Sequence, residues 1–341
     1  MKKLSILLIL VSISFNLFAQ FKLSGKIQHY TGNAELKINI PVVYGFDEAN
    51  SIKIPVKKDG SFSIDLPVKN QKFADLIFQQ TFHLILLDAG KSLKVELSET
   101  DKSFALKNGT ALAENSLLQK VNIEEYPFFL KDDYPYGKQS PAELNNNLIK
   151  PYYAARDRKI TLVNQSPISP KTEKLIIGEI KSAVYNNLYE LVLFGGPDQQ
   201  KMINLVISAF DQADPNPTIM PAGPQYYLFA HCYLWYKQTR ASIKVKSQNI
   251  KPGQLMPDYN ITVAEFNALS GKYGQLYINW LTASRFLPNA VVEQLGYKII
   301  NSAVKGGNKD LINELVKSYK RKFPNSQRLA AINKQLAGIK K

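Results

Sequence analysis

The hydrophobic period changes once along the chain, and this change limits the fold more than any other feature. From Phe21 to about Leu106, polar and apolar residues alternate, as in FKLSGKIQ and AELKINIPVVY. From about Ala111 onward, apolar residues recur with the spacing of a helix face. A period of two residues is typical of strands with one buried face, and a period of about 3.6 is typical of amphipathic helices. The 341-residue chain is therefore expected to be α+β, with strands first and helices after them.

The alternating half of the chain predicts a sandwich of strands. SIKIPVKKDGSFSIDLPV and LILLDAGKSLKVELSE each contain two alternating runs joined by a short turn. The dipeptide Asp59-Gly60 favours a tight turn, because glycine accepts the positive φ that such turns require. Regularly spaced turns between short alternating runs are typical of an antiparallel sandwich or barrel. We therefore expect an antiparallel β-sandwich over residues 20–108.

The tripeptide Gly90-Lys91-Ser92 has the sequence that ends a nucleotide-binding P-loop. A P-loop also requires an earlier glycine, where this chain has Ile85, and a helix after the motif. The residues that follow alternate instead, which predicts a strand that buries Leu93, Val95 and Leu97. Residues 88–91 are therefore interpreted as a turn between two strands, and phosphate binding is not expected there.

Residues 109–341 are expected to form an all-helical domain with short connections. Ser140-Pro141-Ala142-Glu143 and Thr262-Val263-Ala264-Glu265 have the sequence of capping boxes. Pro151 is expected to kink or interrupt the first of these helices, because proline has no amide hydrogen. The second box is expected to begin one helix that continues to about Leu287. Further helices are predicted over residues 170–194, 198–212 and 308–322, after Pro224, from Pro288, and over residues 326–340. The polar interruption at residues 249–261 is expected to be the most mobile segment.

The N-terminus has the features of a secretory signal peptide over residues 1–19. Lys2-Lys3 precede an apolar run from Leu4 to Val11, and Ala19 is a small residue before the expected cleavage site. The bulky Leu17 departs from the usual cleavage pattern, so an uncleaved anchor is the alternative interpretation. The run is short for a bilayer crossing of about 20 residues, and no later segment is apolar enough. The protein is therefore expected in the periplasm or the cell envelope.

The chain is strongly basic, with a formal net charge of +15. Cleavage after Ala19 would remove Lys2-Lys3 and leave a charge of +13. A charge of this size favours acidic surroundings, such as an anionic glycolipid or wall polymer. Lysines that only keep exposed helix faces soluble are the alternative explanation. The expected partner is an envelope protein or an acidic envelope ligand, and export conflicts with a nucleic-acid partner.

Cysteine and histidine are too sparse for the usual reactive centres. Cys232 is the only cysteine, so the chain cannot form an internal disulfide, a CxxC redox pair or a multi-cysteine zinc site. His29, His83 and His231 show no metal-ligand spacing, and His83 is expected to be a half-buried strand residue. His231 and Cys232 would point about 100° apart on a helix, so a nucleophile and its base are not expected there. We expect no cofactor, no metal and no catalytic residue.

The segment IEEYPFFLKDDYPYGK offers two other kinds of candidate. Its paired acids are Glu124-Glu125 and Asp132-Asp133. Hydrolase chemistry would require two carboxyl groups at a defined separation across a cleft, and a solvated loop is the preferred interpretation. Its aromatic residues, together with two later tyrosines, could line a groove that stacks on sugar rings or apolar peptides. The alternative is that they seal the junction between the sandwich and the helices. The candidate ligand-binding residues are Tyr126, Phe128, Phe129, Tyr134, Tyr136, Tyr152 and Tyr153.

Three stretches resemble a known family when they are taken in order. They are KKDGSFSIDLPV, LLDAGKSLKVEL and the C-terminal KSYKRKFPNSQRLAAINKQLAGI. Their order resembles the N-terminal portion of Bacteroidetes thioredoxin-like proteins of the reductase and peroxiredoxin-related kind. The resemblance implies a small sandwich of unknown function and a helical pair that leads into a thioredoxin domain. Here the sequence stops at about the place where that domain would begin, and the family's redox residues have no matching positions.

These features predict an exported, non-catalytic accessory or binding protein. One alternative is the substrate-recognition half of a thiol–disulfide oxidoreductase whose CxxC domain is on a separate chain or was lost. Another alternative is a carbohydrate-binding accessory protein at the cell surface.

Overall fold

A computed structural model describes residues 20–130, 138–194 and 198–339. The predicted signal peptide, residues 1–19, lies outside them. The chain divides into two compact units. Of the described residues, unit 1 contains 20–130, 142–184 and 218–226, and unit 2 contains 138–141, 185–194, 198–217 and 227–339.

The strands of unit 1 form two four-stranded sheets. The strands are β1 (Gln20–Gln28), β2 (Leu36–Asn39), β3 (Ser51–Lys53), β4 (Ser61–Pro67), β5 (Lys72–Phe78), β6 (Thr81–Leu87), β7 (Ser92–Ser98) and β8 (Phe104–Asn108). Sheet 1 has the order β4-β1-β7-β8, and sheet 2 has the order β3-β2-β5-β6. One apolar core contains residues of both sheets, including Leu23 and Val95 from sheet 1 and Leu76 from sheet 2. The predicted α+β class with an N-terminal β-sandwich is therefore confirmed.

Two details of the strand pairing differ from simple hairpins. β1 and β7 run parallel, with Leu23 opposite Leu93, whereas the other pairings in both sheets are antiparallel. The turn at Asp88–Lys91 leads from β6 in sheet 2 to β7 in sheet 1, so its two strands are not paired with each other. Alternation specifies which face of a strand is buried, but it does not specify the neighbouring strand. The buried face of β7 is as predicted: Leu93, Val95 and Leu97.

Helices follow the strands from residue 112 onward. They are α1 (Leu112–Val121), α2 (Pro141–Leu144), α3 (Lys150–Asn164), α4 (Pro170–Phe194), α5 (Gln199–Phe210), α6 (Pro224–Ser247), α7 (Val263–Tyr273), α8 (Gln275–Phe286), α9 (Asn289–Gly306), α10 (Lys309–Lys322) and α11 (Leu329–Ile339). None of the helices in the described ranges combines the length and the apolar character that a bilayer crossing requires.

Local signals predicted several helix ends correctly. The Thr262 hydroxyl accepts a hydrogen bond from the Glu265 amide at 3.2 Å, and the Glu265 carboxylate accepts one from the Thr262 amide at 2.7 Å. Pro151 is predicted to kink or interrupt the helix that begins near Ser140. A π-helical turn, Asn145–Ile149, lies immediately before the helix that contains Pro151. The expected single helix over residues 262–287 is wrong, because Gly274, with φ of 73°, separates α7 from α8. Glycine is suited to that break, since it adopts positive φ without steric cost.

Sheet 2 is covered on both faces. Its inner face lies in the sandwich core, and its outer face packs on helices of unit 1: Phe73 and Leu86 share a second core with Leu118, Ile176 and Ile180. This double burial explains the unbroken apolar run Leu84–Leu87 in β6, which is typical of strands buried on both faces. The outer face of sheet 2 therefore provides a floor on which a pocket can form.

Unit 2 is built around aromatic side chains of α6. The rings of Phe229, Tyr233 and Tyr236 contact one another or the Phe210 ring, with centroids 5.4 to 6.0 Å apart. The loop over residues 249–261 also contributes to a core of unit 2, because Met256 and Tyr259 are buried. The side chains of Met256 and Tyr259 therefore anchor this loop in the core.

Candidate functional site

A pocket of about 280 Å³ lies on the outer face of sheet 2 in unit 1. We call it the unit 1 pocket. Strand β5 contributes Asp75 to its lining, β6 contributes Phe82, and the loop after β2 contributes Phe46. Glu124 comes from the segment after α1, and Gly223 comes from the residue before α6. The pocket is therefore assembled from five parts of the chain that are far apart in sequence.

Two phenylalanines give the pocket an exposed aromatic wall. Phe46 is 50% exposed and Phe82 is 52% exposed. Their rings meet edge to face, with centroids 5.5 Å apart and planes at 87°. This is a favourable aromatic arrangement. The contact orders both rings and still leaves about half of each side chain accessible to a ligand.

The carboxyl groups of the pocket are poorly compensated. Burial, together with a smaller effect of the nearby Glu124 charge, raises the pKa of Asp75 to about 6. Partial burial also raises the pKa of Glu124. Among the described residues, neither a basic side chain nor a hydrogen-bond donor pairs with the Asp75 carboxylate. Asp75 is thus an acceptor with unused capacity, on the wall of a partly apolar pocket.

A third carboxyl group holds the wall of the pocket in place. Glu179 of α4 is buried and accepts hydrogen bonds from the amides of Gly223 at 3.0 Å, Gln225 at 2.7 Å and Tyr226 at 3.2 Å. Two of these amides belong to the first turn of α6, where a helix has free donors. Burial raises the pKa of Glu179 to about 7, although the three backbone donors lower it. Glu179 therefore positions Gly223 and the start of α6.

The aromatic residues predicted as a groove are partly brought together. Phe129 is 2% exposed, and its ring meets the Tyr152 ring edge to face with centroids 4.9 Å apart. Phe128 is 43% exposed and contacts both rings, and Tyr126 is 55% exposed. The Tyr153 ring lies 4.5 Å from the Arg156 guanidinium carbon. Tyr134 and Tyr136 lie outside the described residues, as do Asp132 and Asp133. Among the described residues of this set, Tyr126 and Phe128 are the exposed rings, and Phe129 is buried. The unit 1 pocket is lined by other residues.

The thiol of Cys232 and the imidazoles of His231 and His83 are wholly or partly buried. Cys232 is buried, and burial raises the pKa of its thiol to about 12, with a further contribution from Glu190. Burial lowers the pKa of His231. His83 is half-buried in β6, as predicted, and stacks on Phe104 with ring centroids 4.3 Å apart. No group of three or more His, Cys, Asp or Glu side chains in the described part of the chain is placed to hold a metal ion.

The sequence analysis did not identify Asp75 and Glu179 as candidates. It assigned Glu124 and Glu125 to a solvated loop, and both are exposed and lie outside helices and strands. Glu125 fits that interpretation, because its carboxylate is exposed and lies 3.0 Å from the Lys159 ammonium. Asp75 and Glu179 each left a signal in the sequence. Asp75 is the only acid in the apolar strand KFADLIF, and Glu179 is the only acid in the mostly apolar stretch LIIGEIKSAV. An isolated acid on a buried face needs a partner or a function.

No known family profile matches this sequence. No curated protein is significantly similar to it.

Proposed function

We propose that the chain is an exported, non-catalytic binding protein whose ligand occupies the unit 1 pocket. The observation that supports this most directly is the combination, in one pocket, of two half-exposed aromatic rings with the uncompensated carboxyl group of Asp75. Small-molecule sites combine an apolar wall with a few polar groups that orient the ligand in this way.

Binding is favoured over thiol chemistry by the state of Cys232. The thiolate is the reactive form of cysteine, and a thiol with a pKa of about 12 is almost entirely protonated at neutral pH. The side chain is also buried among aromatic residues of α6, where a cysteine packs as a small apolar group. These two properties disfavour thiol chemistry at Cys232.

The lining favours a neutral saccharide as the ligand. The faces of sugar rings present C–H groups that pack on aromatic side chains such as Phe46 and Phe82. Sugar hydroxyl groups donate hydrogen bonds, and Asp75 offers free acceptor positions for them. An ammonium group would also suit the carboxylates, so a cationic amine is the competing ligand in the test below.

The test uses the chain from residue 20 onward and a panel of neutral mono- and disaccharides, with simple alkylamines as the competing class. Calorimetry or NMR measures the dissociation constant of any ligand found. Phe82→Ala removes half of the aromatic wall and should weaken binding by roughly tenfold, since about 1.4 kcal/mol of lost contact corresponds to that factor. Asp75→Asn keeps the size of the side chain and should also weaken binding.

Matched controls make this test specific. Tyr126→Ala removes a ring that is 55% exposed, close to the 52% of Phe82, but lies outside the pocket. Asp65→Asn neutralises an exposed acid on β4 of sheet 1. Both controls should leave the affinity unchanged. Binding that is lost in Tyr126→Ala and kept in Phe82→Ala would refute the pocket as the site.

The exposed aromatic surface of Tyr126 and Phe128 is the second candidate site. Tyr126 and Phe128 are 55% and 43% exposed and lie two residues apart in the chain. Aromatic residues are enriched where protein partners dock. This surface therefore suits an envelope protein as partner. A partner that the wild type retains, and that the Tyr126→Ala, Phe128→Ala double variant does not retain, would support this second site.

Export is tested separately from binding. Expression of the full chain in a Gram-negative host should yield a periplasmic protein that begins at Gln20. Mass spectrometry of the purified product reads the cleavage site. A product that is found in the cytoplasm and still begins with residues 1–19 would contradict export. That result would not affect the test of the unit 1 pocket.

A further inference from the structure

A second cavity, of about 550 Å³, lies in unit 2 and has the opposite character. We call it the unit 2 cavity. Helix α6 contributes a row of polar side chains to it, α8 contributes Arg285 and Phe286, and Asp211 and Asp258 come from the connections after α5 and before α7. The polar row from α6 consists of Tyr236, Lys237, Arg240 and Lys244. Four cations and two carboxylates thus face the same cavity.

Both carboxylates already have partners within unit 2. Asp211 accepts a hydrogen bond from the Tyr236 hydroxyl at 2.5 Å and forms an ion pair with Arg240. Asp258 accepts a hydrogen bond from the Lys244 ammonium at 2.8 Å, and this bond lowers the pKa of Asp258. The two acids of the lining are therefore paired with two of its four cations, Arg240 and Lys244.

The two remaining cations have no carboxylate partner among the described residues. The Lys237 ammonium lies 5.3 Å from the Tyr236 ring centroid and 4.9 Å from that of Phe286. Arg285 donates from Nε to the Asp258 carbonyl oxygen at 3.2 Å. Within the described ranges, no carboxylate lies within ion-pair distance of Lys237 or Arg285. Burial lowers the pKa of Lys237, which is consistent with an ammonium group that has lost part of its hydration.

We propose that the unit 2 cavity binds a phosphate monoester, with the phosphate group held between Lys237 and Arg285. The lining has four cations and two carboxylates, and a phosphate dianion would balance the difference. The terminal nitrogens of Arg285 can donate two parallel hydrogen bonds to phosphate oxygens, and lysine acts as a point charge beside them. The volume of about 550 Å³ exceeds the needs of a bare ion and falls within the range of small-molecule sites. The rings of Phe286 and Tyr236 would contact the organic part of the ligand.

This proposal is independent of the unit 1 pocket and extends the expectation of an acidic envelope ligand. Phosphate monoesters occur both as soluble sugar phosphates and as exposed groups on lipids, and the shared chemistry is the terminal phosphate. The test therefore has a soluble arm and a membrane arm.

The experiment uses the chain from residue 20 onward. The soluble arm titrates it with glucose 1-phosphate, inorganic phosphate and glucose. The membrane arm measures cosedimentation with phosphatidylcholine vesicles that contain phosphatidic acid, and with vesicles of phosphatidylcholine alone. We expect glucose 1-phosphate to bind more tightly than inorganic phosphate, and glucose not to displace it. Binding only to phosphatidic acid vesicles would assign the ligand to lipids. Lack of binding in both arms at low salt would overturn the proposal.

Lys237→Gln and Arg285→Gln should each weaken binding by roughly tenfold or more, because each removes a hydrogen bond between charged groups. Lys246→Gln is the matched control: it removes the same charge from the same helix, at an exposed position outside the cavity. Equal losses in Lys246→Gln would show that bulk charge alone attracts the phosphate, which contradicts the proposal.

A readout in the wild-type chain covers the case in which the variants unfold. Glucose 1-phosphate should protect Lys237, but not Lys246, from acylation by an amine-reactive reagent, as measured by peptide mass spectrometry. Equal modification of Lys237 with and without the ligand would overturn the assignment of that residue.

Discussion

The unit 1 pocket and the unit 2 cavity contain the same kind of side chain in opposite electrostatic states. In the unit 1 pocket, Asp75 is half-buried and forms no ion pair among the described residues, although Lys72 also lines the pocket. The pKa of Asp75 rises to about 6. In the unit 2 cavity, the Lys244 ammonium lies 2.8 Å from Asp258, and the pKa of Asp258 falls. Burial without a partner disfavours the charged carboxylate, whereas a nearby cation favours it.

Composition does not specify the chemistry of either site. The chain has an overall charge of +15, yet the unit 1 pocket has an excess of acids. In the unit 2 cavity, four cations stand against two acids. A basic protein can therefore offer two sites of opposite preference, and each of the following changes tests one part of that contrast.

Glu179→Ala should give the largest effect. It leaves the amides of Gly223, Gln225 and Tyr226 without their acceptor inside unit 1. We expect a loss of about 4 kcal/mol in the free energy of unfolding, since each unsatisfied buried donor costs about 1–3 kcal/mol. Denaturant titration followed by circular dichroism measures it. Asp211→Ala, which removes an exposed acid of the unit 2 cavity, should cost about 1 kcal/mol or less. Equal losses of unfolding free energy in Glu179→Ala and Asp211→Ala would contradict the expected difference between the two carboxylates.

Glu179 should also make stability depend on pH. Its pKa rises from 4.5 in the unfolded chain to about 7 in the fold, so the folded state holds the proton at higher pH. Stability should therefore fall as pH rises from 4.5 through 7, by about 3 kcal/mol in total. The difference in unfolding free energy between wild type and Glu179→Gln isolates this contribution. A difference that does not change with pH would show that the three amide donors offset the effect of burial.

Gly223→Ala should destabilise unit 1 through a steric clash. An added Cβ would lie 2.5 Å from the Glu179 carboxyl carbon and 2.5 Å from the Phe73 ring. We expect a loss of about 2 kcal/mol, which is typical of overpacking. Gly271→Ala is the control in unit 2, because a Cβ there meets no atom within 4 Å, and it should stabilise α7 by about 0.5–1 kcal/mol. Thermal unfolding measures both variants.

Lys244→Gln should give the smallest change in stability and the clearest change in titration. It removes the hydrogen bond that lowers the pKa of Asp258, so that pKa should return toward its ordinary value of 3.8. The unfolding free energy should change by about 0.5 kcal/mol or less, because the pair is exposed. NMR titration of side-chain carboxyl carbons measures Asp258 and, as an internal control, Asp75. A shift of Asp75 in the same variant would contradict the separate origins of the two pKa values.

Local patterns predicted much of the fold, because they depend on neighbouring residues. Alternation placed Leu93, Val95 and Leu97 on the buried face of a strand, and the Thr262 box predicted a helix start with the hydrogen bonds that the structure shows. The partners of strands were less predictable. The pairing of β1 with β7 joins segments about 70 residues apart, and no local pattern distinguishes that neighbour from another strand with the same buried face.

The candidate sites were harder to predict than the elements that support them. Tyr126 and Phe128 were found because aromatic residues cluster in one segment, and the structure leaves both exposed. Asp75 and Glu179 are single acids in apolar segments, and only their spatial neighbours make them notable. Glu124 and Glu125 are both exposed in a loop, as predicted, but the sequence did not indicate that Glu124 lines the unit 1 pocket.

The order of hydrophobic and polar residues alone determined where strands end and helices begin, because side-chain direction repeats with the geometry of each backbone. The tertiary structure alone decided which carboxylates pair with a cation and which line a pocket without such a pair. Electrostatic energy depends on distances through space and on burial, and residues far apart in sequence reach those distances only after the chain has folded.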